Sequence, residues 1–159
     1  LRITDASGNV ATAASLRLAD VDAAAFDAVF FPGGHGTMWD LPVDASVRAA
    51  VEAAEAAGKV IAAVCHGPAG LVSARRPDGQ PLVAGRRVTG FTNTEEDAVG
   101  LSDVVPFLLE TRLRELGGEF HGGPDWQPFA VRDGRLITGQ NPASSDAVAD
   151  HVLDALGAG

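Results

Sequence analysis

The chain has one cysteine, one methionine and few aromatics, and its 12 basic residues are outnumbered by 21 acidic ones. One cysteine excludes an internal disulfide and suits a reducing compartment, so a cytoplasmic location is expected. No Cys/His pair has the spacing of a structural zinc site, and no metal is expected. A net charge of −9 sets the surface against nucleic-acid phosphates. No apolar run reaches the length of a membrane span, and no signal peptide is legible at the start. Internal repeats, linkers and low-complexity segments are also lacking. What is present is the composition of one globular domain spanning 1–159, with 46% hydrophobic and 21% charged residues.

The organising stretch is Lys59-Val60-Ile61-Ala62-Ala63-Val64-Cys65-His66-Gly67-Pro68-Ala69-Gly70. It reads as a buried strand, an abrupt turn and a helix. Cys65 stands at the turn, with the small Ala63 two residues before it and Gly67 two after. That is the pattern of a nucleophile elbow, where bulk on either side blocks the turn. Pro68 suits a first helical turn. A thiol so placed faces the positive end of a helix, which is expected to stabilise its thiolate, the attacking form. The competing reading is a lone cysteine used as a small buried hydrophobe. The elbow context favours the nucleophile.

Along the rest of the chain, strands alternate with helices. Leu1–Thr4 and Val10–Leu18 read as extended pieces around a Gly8-Asn9 turn. Residues 27–31 form an apolar strand that runs into Pro32-Gly33-Gly34-His35-Gly36, a loop whose glycines let a ligand approach bare backbone N–H groups. Asp44 caps a helix to about Ala57, with Val47, Ala50, Val51 and Ala54 on one face. A short helix from Pro68 to about Ser73 and a strand over 86–90 come next, followed by a loop at Thr92–Asp97. Ser102 is expected to cap a helix over 103–116, with Glu110 and Arg114 paired outside. A hairpin joins 129–132 to 135–138 through Asp133-Gly134, and a final helix begins at Ser144 or Ser145. The alternation implies a mostly parallel sheet covered on both faces, with ligands bound beyond the carboxyl ends of its strands.

Three loops then meet, carrying Gly33–Gly36, Cys65–Gly67 and Thr92–Asp97. Cys65 is the candidate nucleophile. The N–H groups of Gly34 and His66 are candidates to hold an oxyanion, with Gly33 and Gly67 shaping that cradle. His66 is the candidate proton carrier, and Glu96 can orient its imidazole. Glu95-Glu96-Asp97 can equally be a solvated loop. His35 and Trp126 are candidates to line the mouth of the pocket, or simply to pack there. Gly122–Trp126 has the composition of a mobile flap. His121 and His151 read as surface or helix histidines.

Four segments carry a family resemblance: Pro32-Gly33-Gly34-His35-Gly36-Thr37-Met38-Trp39-Asp40, Ala62-Ala63-Val64-Cys65-His66-Gly67-Pro68-Ala69, Gly90-Phe91-Thr92-Asn93-Thr94-Glu95-Glu96 and Thr138-Gly139-Gln140-Asn141-Pro142-Ala143-Ser144. They resemble the PfpI/ThiJ superfamily, and within it the heat-shock chaperone branch of glutathione-independent glyoxalases. The resemblance runs from about Phe26 to the end. It implies an α/β, flavodoxin-like three-layer sandwich, usually a homodimer, and a Cys-His-Glu constellation at Cys65, His66 and Glu96. The implied reaction turns methylglyoxal, a 2-oxoaldehyde, into lactate with no metal or organic cofactor. The family also carries a glutamate near the end of its first strand. Here no glutamate precedes Glu52, and the acids up to the first clear strand are Asp5, Asp20, Asp22 and Asp27. The N-terminal strand-helix-strand unit is therefore expected to be missing, with the chain a piece of a longer protein.

Rival functions are a thiol amidase, peptidase or amidotransferase, a holding chaperone for unfolded clients, and a redox sensor oxidised at Cys65. The amidotransferase reading is weak, because neither His121 nor His151 is followed two residues on by a glutamate.

Overall fold

The computed structural model describes residues 2–4, 10–12 and 16–157. In chain order the elements are β1 (Arg2–Thr4), β2 (Val10–Thr12), β3 (Ala28–Phe31), α1 (Thr37–Asp40), α2 (Ala45–Ala56), β4 (Val60–Val64), β5 (Arg87–Val88), α3 (Asn93–Ala98), α4 (Leu109–Glu115), β6 (Glu119–Phe120), β7 (Ala130–Asp133), β8 (Leu136–Gly139) and α5 (Ser145–Leu156). Short 3₁₀ turns at Leu18–Asp20, Ala23–Ala25, Gly67–Leu71 and Pro142–Ser144 join them.

The main sheet has the order β3-β4-β8-β7. β3, β4 and β8 run parallel, and β7 returns antiparallel to β8 through a tight turn at Gly134. Every residue of β4 is buried. Both its faces are therefore covered, as expected of an apolar central strand. α2 packs on β4 and β3, and α5 on β4, β7 and β8. The result is the mostly parallel, helix-flanked sheet expected from the sequence. β5 and β6 form a separate parallel pair, and β1 and β2 an antiparallel one. The expected Gly8-Asn9 turn lies outside the described residues.

α2 follows its sequence pattern closely. The Asp44 side chain accepts from the N–H groups of Ser46 and Val47, and Val47, Ala50, Val51 and Ala54 are buried. Capping of this kind contributes about 1 kcal/mol. Two expectations need correction. Residues 93–98, expected as loop, are helical, because Thr92 and Glu95 cap each other's backbone N–H groups. The helix expected over 103–116 begins only at Leu109. Pro106 has no N–H and drives the residue before it extended, so the chain turns through 102–107 first. Ser102 caps nothing there and donates instead to Asp97. The expected Glu110–Arg114 pair does form, at 2.9 Å. In α5, Val148 is buried and Leu156 is exposed.

Candidate active site

The elbow is real in the backbone. Cys65 adopts φ 60, a left-handed conformation that non-glycine residues seldom take. It is held from both sides: the Cys65 N–H donates to the Gly139 carbonyl and its own carbonyl accepts from the Phe91 N–H, each at 3.0 Å. The loops after β3 and β4 interlock around it. A Cβ on Gly67 would lie 2.2 Å from the Phe31 carbonyl oxygen, and one on Gly33 would lie 2.4 Å from that of Val64. Only glycine lets these two turns approach so closely.

Three side chains converge beyond the strand ends. Cys65 Sγ lies 3.3 Å from His66 Nδ1, and His66 Nε2 lies 2.7 Å from Glu96 Oε2. The other carboxylate oxygen, Oε1, is 2.8 Å from His35 Nε2. Glu96 thus serves two imidazoles, whose ring centres are 4.0 Å apart. Phe91 closes the other side of His66, with centroids 4.3 Å apart. His66 and Glu96 are fully buried, and Cys65 is 8% exposed.

Electrostatics at the sulfur run against the sequence expectation. Burial pushes the Cys65 thiol above its ordinary value, and the Glu95 and Glu96 charges push the same way. The N–H groups of His66 and Gly34, expected to face an oxyanion, bear on the sulfur itself and offset only part of this. The element after the elbow is a 3₁₀ turn over Gly67–Leu71 rather than a full helix, so little macrodipole is available. Burial likewise holds His66 below its ordinary value, against its hydrogen bond to Glu96, and the neighbouring His35 adds to the depression. The resting pair is therefore a neutral thiol beside a neutral imidazole. Nε2–H of that imidazole donates to Glu96, which leaves Nδ1 free to accept the thiol proton.

Glu95 is also fully buried, but it faces away from this relay. Its Oε1 accepts from the Trp126 N–H at 2.9 Å, Gln140 Nε2 at 3.1 Å and Asn141 Nδ2 at 2.7 Å. Its Oε2 accepts from the N–H and hydroxyl of Thr92, both at 3.2 Å. Burial pushes Glu95 up, and these donors together hold it below the ordinary carboxylate range. Trp126 is 45% exposed, and its indole meets Phe91 edge-on with centroids 5.7 Å apart. The segment expected as a flap is tied at several points: Gly123 N–H to Gln140 Oε1, Asp125 to Thr94, and the Gln127 carbonyl to Asn141. His121 is exposed and His151 lies on α5, both apart from the cluster.

The structure thus brings Cys65, His66, Glu96, Gly33, Gly34, Gly67 and His35 together, with Trp126 one ring further out. Spacing in the sequence did not reveal that His35 shares Glu96, or that Glu95 gathers three segments. The ligand-type atoms of His35, His66 and Glu96 lie within 4.8 Å of one another, an arrangement with metal-ligand character that no sequence spacing shows. In the structure both imidazoles spend those atoms on the carboxylate.

A profile of the DJ-1/PfpI family matches residues 2–155. Glyoxalase 3 of Candida albicans is 35% identical over 153 residues, which are 92% of this chain and 65% of that protein. A solved structure of glyoxalase III from Candida albicans superposes with a TM-score of 0.82 at 33% identity, over 87% of this chain and 60% of that one. The Rapid Encystment Protein 24 kDa of Francisella tularensis superposes with a TM-score of 0.86 at 42% identity, over 89% of this chain and 63% of that one. The chain therefore spans less than two thirds of the length of each of these relatives. With the elbow, the interlocked glycine turns and the match along nearly all its residues, the chain belongs to the DJ-1/PfpI family.

Proposed function

We propose that the chain converts methylglyoxal, or a related small 2-oxoaldehyde, into the 2-hydroxy acid without glutathione. The observation that carries this is the continuous relay from Cys65 Sγ through His66 to Glu96 on a left-handed elbow. The likeness to proteins named glyoxalase supports the choice of substrate.

The steps balance without an outside oxidant. The Cys65 sulfur bonds to the aldehyde carbon while His66 Nδ1 takes the thiol proton and delivers it to the aldehyde oxygen, giving a hemithioacetal. Neutral again, His66 removes the proton from that carbon and passes it to the neighbouring ketone oxygen as the electron pair flows in, giving an enediol. A solvent proton adds to the neighbouring carbon while the hydroxyl on the sulfur-bearing carbon loses its own, leaving a thioester. Water then cleaves the carbon–sulfur bond, releasing the acid and restoring the thiol. One carbon is oxidised by two electrons and its neighbour reduced by two, so no metal or organic cofactor enters the scheme. Glu96 stabilises the imidazolium, and His35 fixes the second carboxylate oxygen. The N–H groups of Gly34 and His66 receive the developing oxyanion once sulfur has bonded to carbon. Gly33 and Gly67 keep those amides in place, and Trp126 walls the outer side.

The test is to supply methylglyoxal in deuterated water and follow lactate by NMR. An enediol path predicts lactate carrying solvent deuterium at its second carbon. No lactate, or lactate retaining the aldehyde hydrogen there, would overturn the scheme.

A second reading, as a homodimeric holding chaperone for unfolded clients, has one observation in its favour. Trp39 and Val43 are at least half exposed and line a cleft with Pro106 and Phe107. Client binding there would survive loss of the thiol.

A further inference from the structure

Trp126 is one of two described non-glycine residues with a left-handed backbone, at φ 63; the other is Cys65. A bulky side chain in that region is strained and persists only where its surroundings over-determine it. At Cys65 the elbow explains the strain. At Trp126 the agent is Glu95, whose Oε1 accepts the Trp126 N–H. The same oxygen takes side-chain N–H groups from Gln140 and Asn141, which in turn bond the backbone of Gly123 and Gln127 on either side of Trp126. Glu95 Oε2 anchors this assembly to Thr92 at the start of α3. The indole is thereby set edge-on against Phe91, which stacks on His66. The adjacent acids on α3 are thus divided: Glu96 faces the imidazoles, and Glu95 faces the loop that carries the indole.

We infer that Glu95 is a positioning residue that fixes Trp126 as the outer wall against which the 2-oxoaldehyde is oriented, while Glu96 alone serves proton transfer. The inference rests on the proposed function for its substrate, and it adds a residue whose hydrogen bonds act through Trp126. An acid saturated by donors from three segments cannot be replaced by its amide without turning an N–H toward another N–H. The effect belongs in substrate affinity, because a displaced indole loosens binding without disturbing the sulfur relay.

The experiment compares Glu95→Gln and Glu96→Gln for turnover and, in a Trp39→Phe background, for quenching of the remaining Trp126 fluorescence by acrylamide. Glu95→Gln is expected to raise KM about tenfold with kcat within about twofold, and to at least double the quenching of Trp126. Glu96→Gln is expected to lower kcat and leave quenching unchanged. Should Glu95→Gln fail to fold, Gln140→Met removes one donor at similar volume and should shift quenching and KM in the same direction by a smaller factor. Unchanged quenching in the folded variant, or equal losses of kcat in the two glutamate variants, would overturn the inference. Quenching needs no substrate. A wild-type chain inert to methylglyoxal would therefore sink the proposed function, while the quenching comparison still decides whether Glu95 holds Trp126.

Discussion

At φ 60 the Cys65 backbone carries strain of order 1–3 kcal/mol, held in place by hydrogen bonds to Gly139 and Phe91. In this conformation Sγ lies 3.3 Å from His66 Nδ1. Elbow spacing in the sequence is enough to foresee this, since Ala63 and Gly67 are the small neighbours that such a turn needs. The charge state of the sulfur is not foreseeable that way, because it depends on how much chain closes over it and on two carboxylates brought from α3. A folded-state thiol raised above its ordinary value ionises later than the same thiol in the unfolded chain. Alkylation of Cys65 by iodoacetamide should therefore keep accelerating as pH rises beyond about 9, while the urea-unfolded chain levels off near the ordinary thiol range. A folded-chain profile already flat at pH 7 would contradict the neutral thiol–imidazole pair. The contact between His35 and Glu96 spans 61 residues of sequence, so local pattern carries no trace of it.

Elements position the site through two glycine contacts and one cap. Gly33 and Gly67 let the turns after β3 and β4 nest, and the Thr92–Glu95 capping box starts α3 where Glu96 can reach both imidazoles. Replacing Gly67 by alanine puts a methyl 2.2 Å from a backbone oxygen that cannot rotate away. That overpacking should cost about 1–3 kcal/mol and lower Tm by several degrees. Gly36→Ala is the control: its Cβ meets nothing within 4 Å, and its Tm should stay near wild type. Equal Tm values for the two variants would show that the nesting is looser than described. α2 and β4 are legible because apolar patterning and the Asp44 cap agree there. α3 and α4 depart from their sequence pattern because two rules compete there. Three consecutive acids suggested a solvated loop, whereas Glu95 and Glu96 are buried by tertiary hydrogen bonds. A Ser102 cap suggests a helix start that Pro106 displaces to Leu109.

On the scale of the molecule, parallel β3, β4 and β8 deliver the loops after Phe31, Val64 and Gly139 to one edge of the sheet, and α3 adds Glu96 from the side. That convergence was legible from the alternation of strands and helices, and the family likeness fixed which of the adjacent acids faces the imidazole. The hydrogen bonds that gather around Glu95 are not legible there. Gln140 and Asn141 lie in a segment of family resemblance with no role read for them, although they tie the segment around Trp126 to Glu95. The proposed reaction depends on the Cys65 sulfur forming a bond to substrate carbon. The most direct measurement is lactate formation from methylglyoxal by wild type and Cys65→Ser, with folding of both checked by circular dichroism. Replacing sulfur with oxygen removes the nucleophile at nearly unchanged volume, so lactate formation should fall on the order of 10³-fold or more with the fold retained. Turnover by Cys65→Ser within about twofold of wild type would contradict the account.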